Sequence, residues 1–148
     1  MLSDLQLKKL NQVFAKYQVL FAYLFGSQVT DKANQDSDYD IAIFLAEQNK
    51  KKRFDQELKI AAEVIKIINN DKLDLVVLND TKSIFLKFVI ISEGKLIYNN
   101  DLSAHIDFEL RAMNEYWDFK PFLEAYNKAY SRRILSSRSS NFENLKSN

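Results

Sequence analysis

The chain has 148 residues, 21 basic and 20 acidic side chains, a formal charge of +1 and no cysteine. That length suits one domain with its own core; the missing cysteine excludes a disulfide framework, a thiolate zinc site and a thiol nucleophile. The balanced charge excludes the broad basic field of a protein that grips nucleic acid nonspecifically, and with no basic leader and no apolar run near the roughly 18 residues of a membrane span, a soluble cytoplasmic protein with no membrane partner is expected.

Leu7, Leu10, Phe14 and Tyr17 recur at helical spacing, and Ser3 with Gln6 has the pattern of a capping box, so a first helix is expected there. Apolar runs at 21–25 and 41–45 have the length of buried strands and enclose a polar loop. A polar turn at 47–52 leads into a second helix carrying Phe54, Leu58, Ala61, Ile65 and Ile68, broken by Asn69-Asn70-Asp71. Residues 73–78, Leu-Asp-Leu-Val-Val-Leu, read as a third strand. Asp80 or Thr81 is expected to cap a third helix with Ile84, Phe85, Phe88 and Val89 on its inner face and Gly94 as its stop. A short strand at 95–99 follows. Ser103 then opens a long helix built on Ile106, Leu110, Met113 and Trp117. Pro121 implies either a kink or a fresh start capped by Asp118, with the helix resuming to about Arg133.

Phe119, Phe122, Tyr126 and Tyr130 read either as core or as a partner-binding face. His105, the one histidine, reads as surface or as satisfied polar packing, since it has no companion ligand. The basic stretches at 50–53 and at Arg132, Arg133, Arg138 and Lys146 read as solvated surface or as phosphate or partner contacts. The organisation expected is a single domain over 1–135, including the C-terminal helices, with a flexible basic tail at 136–148.

The chemistry concentrates between the first two strands. The loop opens with Gly26-Ser27 and closes with Ser37-Asp38-Tyr39-Asp40. In an extended chain, side chains alternate, so Asp38 and Asp40 share one face and Tyr39 takes the other. Paired carboxylates repel unless one holds a proton or both share a cation, and Mg2+ completes its octahedron with water and phosphate oxygens. A glycine lets phosphate approach the backbone, and a serine hydroxyl donates to it. The loop therefore reads as a nucleoside triphosphate site. An acid inside a buried strand needs a reason: Asp74 reads either as an exposed strand-end aspartate or, if its strand lies beside that of Asp38 and Asp40, as the third acid brought to their face.

Gly26-Ser27, Ser37-Asp38-Tyr39-Asp40 and the lone Asp74 resemble the signature of the nucleotidyltransferase superfamily related to DNA polymerase beta. The small size and the stretches 108–112 and 116–122 are similar to the minimal nucleotidyltransferases, or MNT proteins. The resemblance covers roughly 10–130. It implies an α/β (α+β) nucleotidyltransferase fold, a mixed sheet of about four strands flanked by helices with a long C-terminal helical segment. It also implies an antitoxin that transfers AMP from ATP to a tyrosine of a HEPN ribonuclease toxin. Asp38 and Asp40 would hold Mg2+, commonly two ions. Asp74 would bind the metal nearer the nucleophile and help deprotonate it, and Gly26 and Ser27 would hold the triphosphate.

Two metals a few ångströms apart suit in-line displacement at the α-phosphate. Where the family continues Gly-Ser-x-x-Arg-Gly, this chain has Gln28-Val29-Thr30-Asp31. That loses a bidentate phosphate clamp and leaves Lys32 as a substitute point charge. A binding-only antitoxin that masks its toxin is the competing reading, and transfer to a small-molecule acceptor is a third. No direct nucleic-acid partner is expected.

Overall fold

The computed structural model describes residues 2–29 and 38–146, the side chains of Gln28 and of 137–146 excepted. Its elements run α1 (Asp4–Lys16), β1 (Val19–Phe25), a single 3-10 turn (Gly26–Gln28), β2 (Tyr39–Leu45), α2 (Lys50–Ile68), β3 (Leu73–Val77), α3 (Ile84–Glu93), β4 (Lys95–Asn99) and α4 (Leu102–Lys146). The strands form one mixed sheet in the order β3-β2-β1-β4. β1 pairs antiparallel with β2 and β4, whereas β2 pairs parallel with β3, α2 making the crossover.

Alternation along the strands sorts side chains into two cores. Val19, Ala22 and Leu24 of β1 join Ile41, Ile43 and Leu45 of β2 against α1 and α2. Phe21, Tyr23 and Phe25 join Ala42 on the opposite face, where α3 supplies Ile90 and α4 supplies Phe108 and Ala112. The sheet is thus covered on both faces.

Helix α1 carries the capping box expected of it: Ser3 accepts from the Gln6 amide, and the Gln6 side chain accepts from the Ser3 amide. Other expectations require correction. In α2 the buried row is Ile60, Val64 and Ile68, and Phe54 and Leu58 are exposed. Arg53 takes the inner position at the helix start and forms a fork on Asp80, at 2.6 and 3.1 Å. With Asp80 so engaged, Ser83 caps α3 instead, accepting from the Leu86 amide. Phe85 faces solvent, and the buried residue of α3 is Ile90. Gly94 does end α3, in an extended conformation.

The largest correction is α4. Asp101 accepts from the Ala104 amide and starts the helix, which then runs unbroken through Pro121 and past Arg133 to Lys146. Ile106, Leu110, Met113 and Trp117 are exposed, and the inner row is His105, Phe108 and Ala112.

Candidate functional site

β1 ends at Phe25, and the chain turns at once through Gly26, whose φ is +74°. This left-handed conformation favours glycine. A second constraint acts at the same position: a Cβ built on Gly26 would lie 2.1 Å from Asp40 Oδ2. The two ends of the motif are therefore in contact, with the Asp40 carboxylate filling the space that the glycine leaves. The Ser27 hydroxyl donates to the Asp38 carbonyl at 3.5 Å, at the outer limit of a hydrogen bond.

Register brings in the third acid. Asp40 stands opposite Phe25 on β1 and opposite Asp74 on β3. Alternation puts Asp40 and Asp74 on the face of Ala42 and Val76, the α3/α4 side, while Tyr39 packs on the α1/α2 side. Asp38 precedes the strand and is exposed, as is Asp74; Asp40 is half-buried. Burial raises the Asp40 carboxyl above its ordinary value, and the charges of Asp74 and then Asp38 raise it further. The charges of Asp74 and Asp38 thus both reach the Asp40 carboxyl.

Across the sheet, the Gly26-Ser27 turn just past the end of β1, Asp40 on β2 and Asp74 on β3 follow one another. Among the described residues no group of three or more acidic, histidine or cysteine side chains is already placed to hold a metal ion. Mg2+ does not require one. It takes one or two protein carboxylates and fills its octahedron with water and phosphate oxygens. The all-oxygen donor set, the mutual repulsion at Asp40 and the glycine cradle beside its carboxylate all fit such an ion. Ser37, Thr30, Asp31 and Lys32 lie outside the described residues.

The sequence did not reveal a polar cluster buried under α4. Tyr23 Oη lies 2.6 Å from both His105 Nε2 and Glu109 Oε1, and those two are 2.9 Å apart. Tyr23 donates to Glu109, which leaves its oxygen to accept from His105 Nε2–H. Burial raises the Tyr23 hydroxyl well above its ordinary value, and Glu109 raises it further. A tyrosine inside the apolar run 19–25 was the available signal, because a buried hydroxyl requires a partner.

Residues 8–103 match the family model described as Polymerase beta, Nucleotidyltransferase. The protein adenylyltransferase MntA of Aphanizomenon flos-aquae (strain 2012/KM1/D3) is 33% identical over 97 residues, covering 61% of this chain and 63% of that protein. The match thus spans less than two thirds of that relative's length.

Among solved structures, a chain from a mutant MntA–HpeT toxin–antitoxin crystal is similar with a TM-score of 0.70 and 18% identity, over 84% of this chain and 98% of that one. A toxin–antitoxin crystal with AMP-PNP gives 0.70 and 19%, over 84% and 98%. The complex of a tri-AMPylated Shewanella oneidensis HEPN toxin with an MNT antitoxin gives 0.66 and 19%, over 86% and 97%. At these identities the likeness to the solved structures is one of fold.

Proposed function

The chain belongs to the polymerase beta nucleotidyltransferase family, and from that premise we propose that it is the antitoxin of a HEPN/MNT pair, transferring AMP from ATP to a tyrosine hydroxyl of a HEPN ribonuclease toxin. The observation that carries the catalytic part is the pairing of Asp40 with Asp74 across parallel strands, with Gly26 packed on the Asp40 carboxylate. The acceptor and partner are supported by the relatives: one is named a protein adenylyltransferase, and another is described in complex with a tri-AMPylated HEPN toxin.

In this reading Asp38, Asp40 and Asp74 would hold Mg2+, which when bound supplies charge neutralisation for the phosphates and activation of the attacking oxygen. Gly26 gives the tight turn that sets the Asp40 carboxylate beside the start of the loop, and Ser27 donates to the triphosphate oxygens. Asp74 projects from β3, an outer strand of the sheet, where a protein hydroxyl has access. It receives the proton of that hydroxyl as the acceptor oxygen bonds to the α-phosphorus. The bond from that phosphorus to the bridging oxygen breaks, and pyrophosphate departs on the Gly26-Ser27 side. The order Gly26-Ser27, Asp40, Asp74 across the sheet matches the line of such a displacement. Positioning and charge complementarity then supply most of the rate.

The test is to incubate the protein with Mg2+, ATP and the purified HEPN ribonuclease and to read the intact mass of both proteins. AMP appears on the ribonuclease with the wild type and is absent with Asp40→Asn. A tight complex that silences the ribonuclease without added mass, unchanged by Asp40→Asn, establishes the masking antitoxin instead. Thr30 in place of the family arginine is the observation that favours that second reading.

A further inference from the structure

The inner row of α4 does not stop where the body of the protein stops. Phe108 and Ala112 pack on the sheet, and at the next turn α3 covers the row: Tyr116 stacks on Phe88 with centroids 3.6 Å apart, and Glu115 pairs with Lys87 at 2.8 Å. The row continues at steps of three and four through Phe119, Phe122, Tyr126 and Tyr130, which are 38%, 71%, 67% and 55% exposed. Tyr126 and Tyr130 stack on each other. With 45 residues, α4 is roughly 67 Å long, and Phe122, Tyr126 and Tyr130 stand more than half exposed.

We propose that this aromatic row is the docking surface for the protein acceptor, and that the acceptor presents a helical, apolar surface with an acidic rim. The proposal rests on the reading that the acceptor is a protein, and it adds where that protein is held. The row is the same one that packs on a helix, α3, inside this chain, so its geometry suits a helix from outside.

Charge then selects the occupant. Segment 119–135 carries Lys120, Lys128, Arg132 and Arg133 against Glu124 alone. Two copies laid along this segment would bring like charges together, whereas an acidic partner gains from the same side chains. Aromatic side chains bury about 150–250 Å² each, so at their exposures the four rings offer on the order of 350–580 Å². A stable interface takes roughly 800 Å² from each side, so the partner must also cover the cationic flank. Four cations are too few for phosphate-backbone binding, which draws on many such contacts.

The inner side of α4 is also the side of the sheet from which Asp40 and Asp74 project. A protein seated on the row therefore approaches from the side of the sheet that carries Asp40 and Asp74.

The experiment compares the full chain with Phe122→Ser/Tyr126→Ser, whose exposed side chains leave the core intact. Binding to the purified HEPN ribonuclease and binding of AMP-PNP are measured by calorimetry, and transfer is measured by steady-state kinetics. The variant is expected to raise the Kd for the ribonuclease by about tenfold or more, as loss of interface anchors does. The KM for the ribonuclease rises with it, and kcat, AMP-PNP affinity and Tm stay unchanged. Arg132→Glu/Arg133→Glu also raises that Kd and flattens its salt dependence.

An unchanged Kd in both variants overturns the proposal. Wild-type self-association that the serine variant abolishes in sedimentation assigns the row to a second copy and overturns it too, as does loss of binding to a single-stranded RNA probe in place of the ribonuclease. Ribonuclease held through the row but never gaining AMP leaves the docking surface standing and refutes the catalytic reading alone.

Discussion

Gly26→Ala tests the link between the two ends of the motif. Alanine must adopt φ near +74°, which costs roughly 1–2 kcal/mol in the left-handed region. Its Cβ also meets Asp40 Oδ2 at 2.1 Å, where ordinary contact begins near 3.4 Å. The carboxylate must therefore swing away by more than 1 Å. Misplacing a reacting group by about that distance lowers rates on the order of a hundredfold.

The expected result is a loss of about 2–3 kcal/mol in urea unfolding, summing backbone strain and displacement, with AMP transfer down about a hundredfold and the affinity for the ribonuclease retained. Repeating the substitution in an Asp40→Ala background removes the obstacle. There it should cost only the backbone share, about 1–2 kcal/mol. Equal costs in the two backgrounds would refute the packing argument, and full transfer by Gly26→Ala would refute its relevance to catalysis.

Asp40→Asn removes a half-buried charge that Asp74 and Asp38 oppose, so in metal-free buffer its Tm should equal or exceed that of the wild type while transfer disappears; a clear fall in Tm contradicts this. Asp80→Asn breaks the fork with Arg53 and should cost roughly 1–3 kcal/mol at neutral pH. The Arg53 guanidinium holds the Asp80 carboxyl below its ordinary value, so this stabilisation is present above about pH 4 and is lost as pH falls through the depressed value. The gap between wild type and variant should therefore close in acid, and a gap that persists there argues against the pair. Tyr23→Phe leaves His105 and Glu109 facing each other and should cost about 1–2 kcal/mol. Because the Tyr23 hydroxyl is raised, its contribution is intact below about pH 10 and fades as pH climbs beyond; ultraviolet titration showing all seven tyrosines ionising together would contradict the buried contact.

The sheet was legible because apolar runs of strand length mark its central strands. Asp74 stands exposed near the start of β3, as a strand-end aspartate can, and the register places it opposite Asp40. Helix faces were harder to read. In α2, both Phe54/Leu58 and Ile60/Val64 fit a helical period, and spacing alone does not say which row the sheet covers. In α4, apolar residues occur on two sides, so the row chosen from periodicity, Ile106 to Trp117, was the exposed one. Pro121 implied a kink or a fresh start because a helical proline costs about 3 kcal/mol locally; α4 continues through it, which excludes the fresh start. The Gly26–Asp40 contact spans fourteen positions, and no local pattern encodes it.

Among the described residues β3 lies at the margin of the sheet with one neighbour, β2, and no strand pairs with the other side of its backbone. Open margins of this kind invite accretion of further chains into aggregates, and proteins guard them with charge. Asp74 is the charge inside this otherwise aliphatic strand. Removing it would leave Leu73–Val77 a sticky, undefended ribbon, so the carboxylate guards the solubility of the fold.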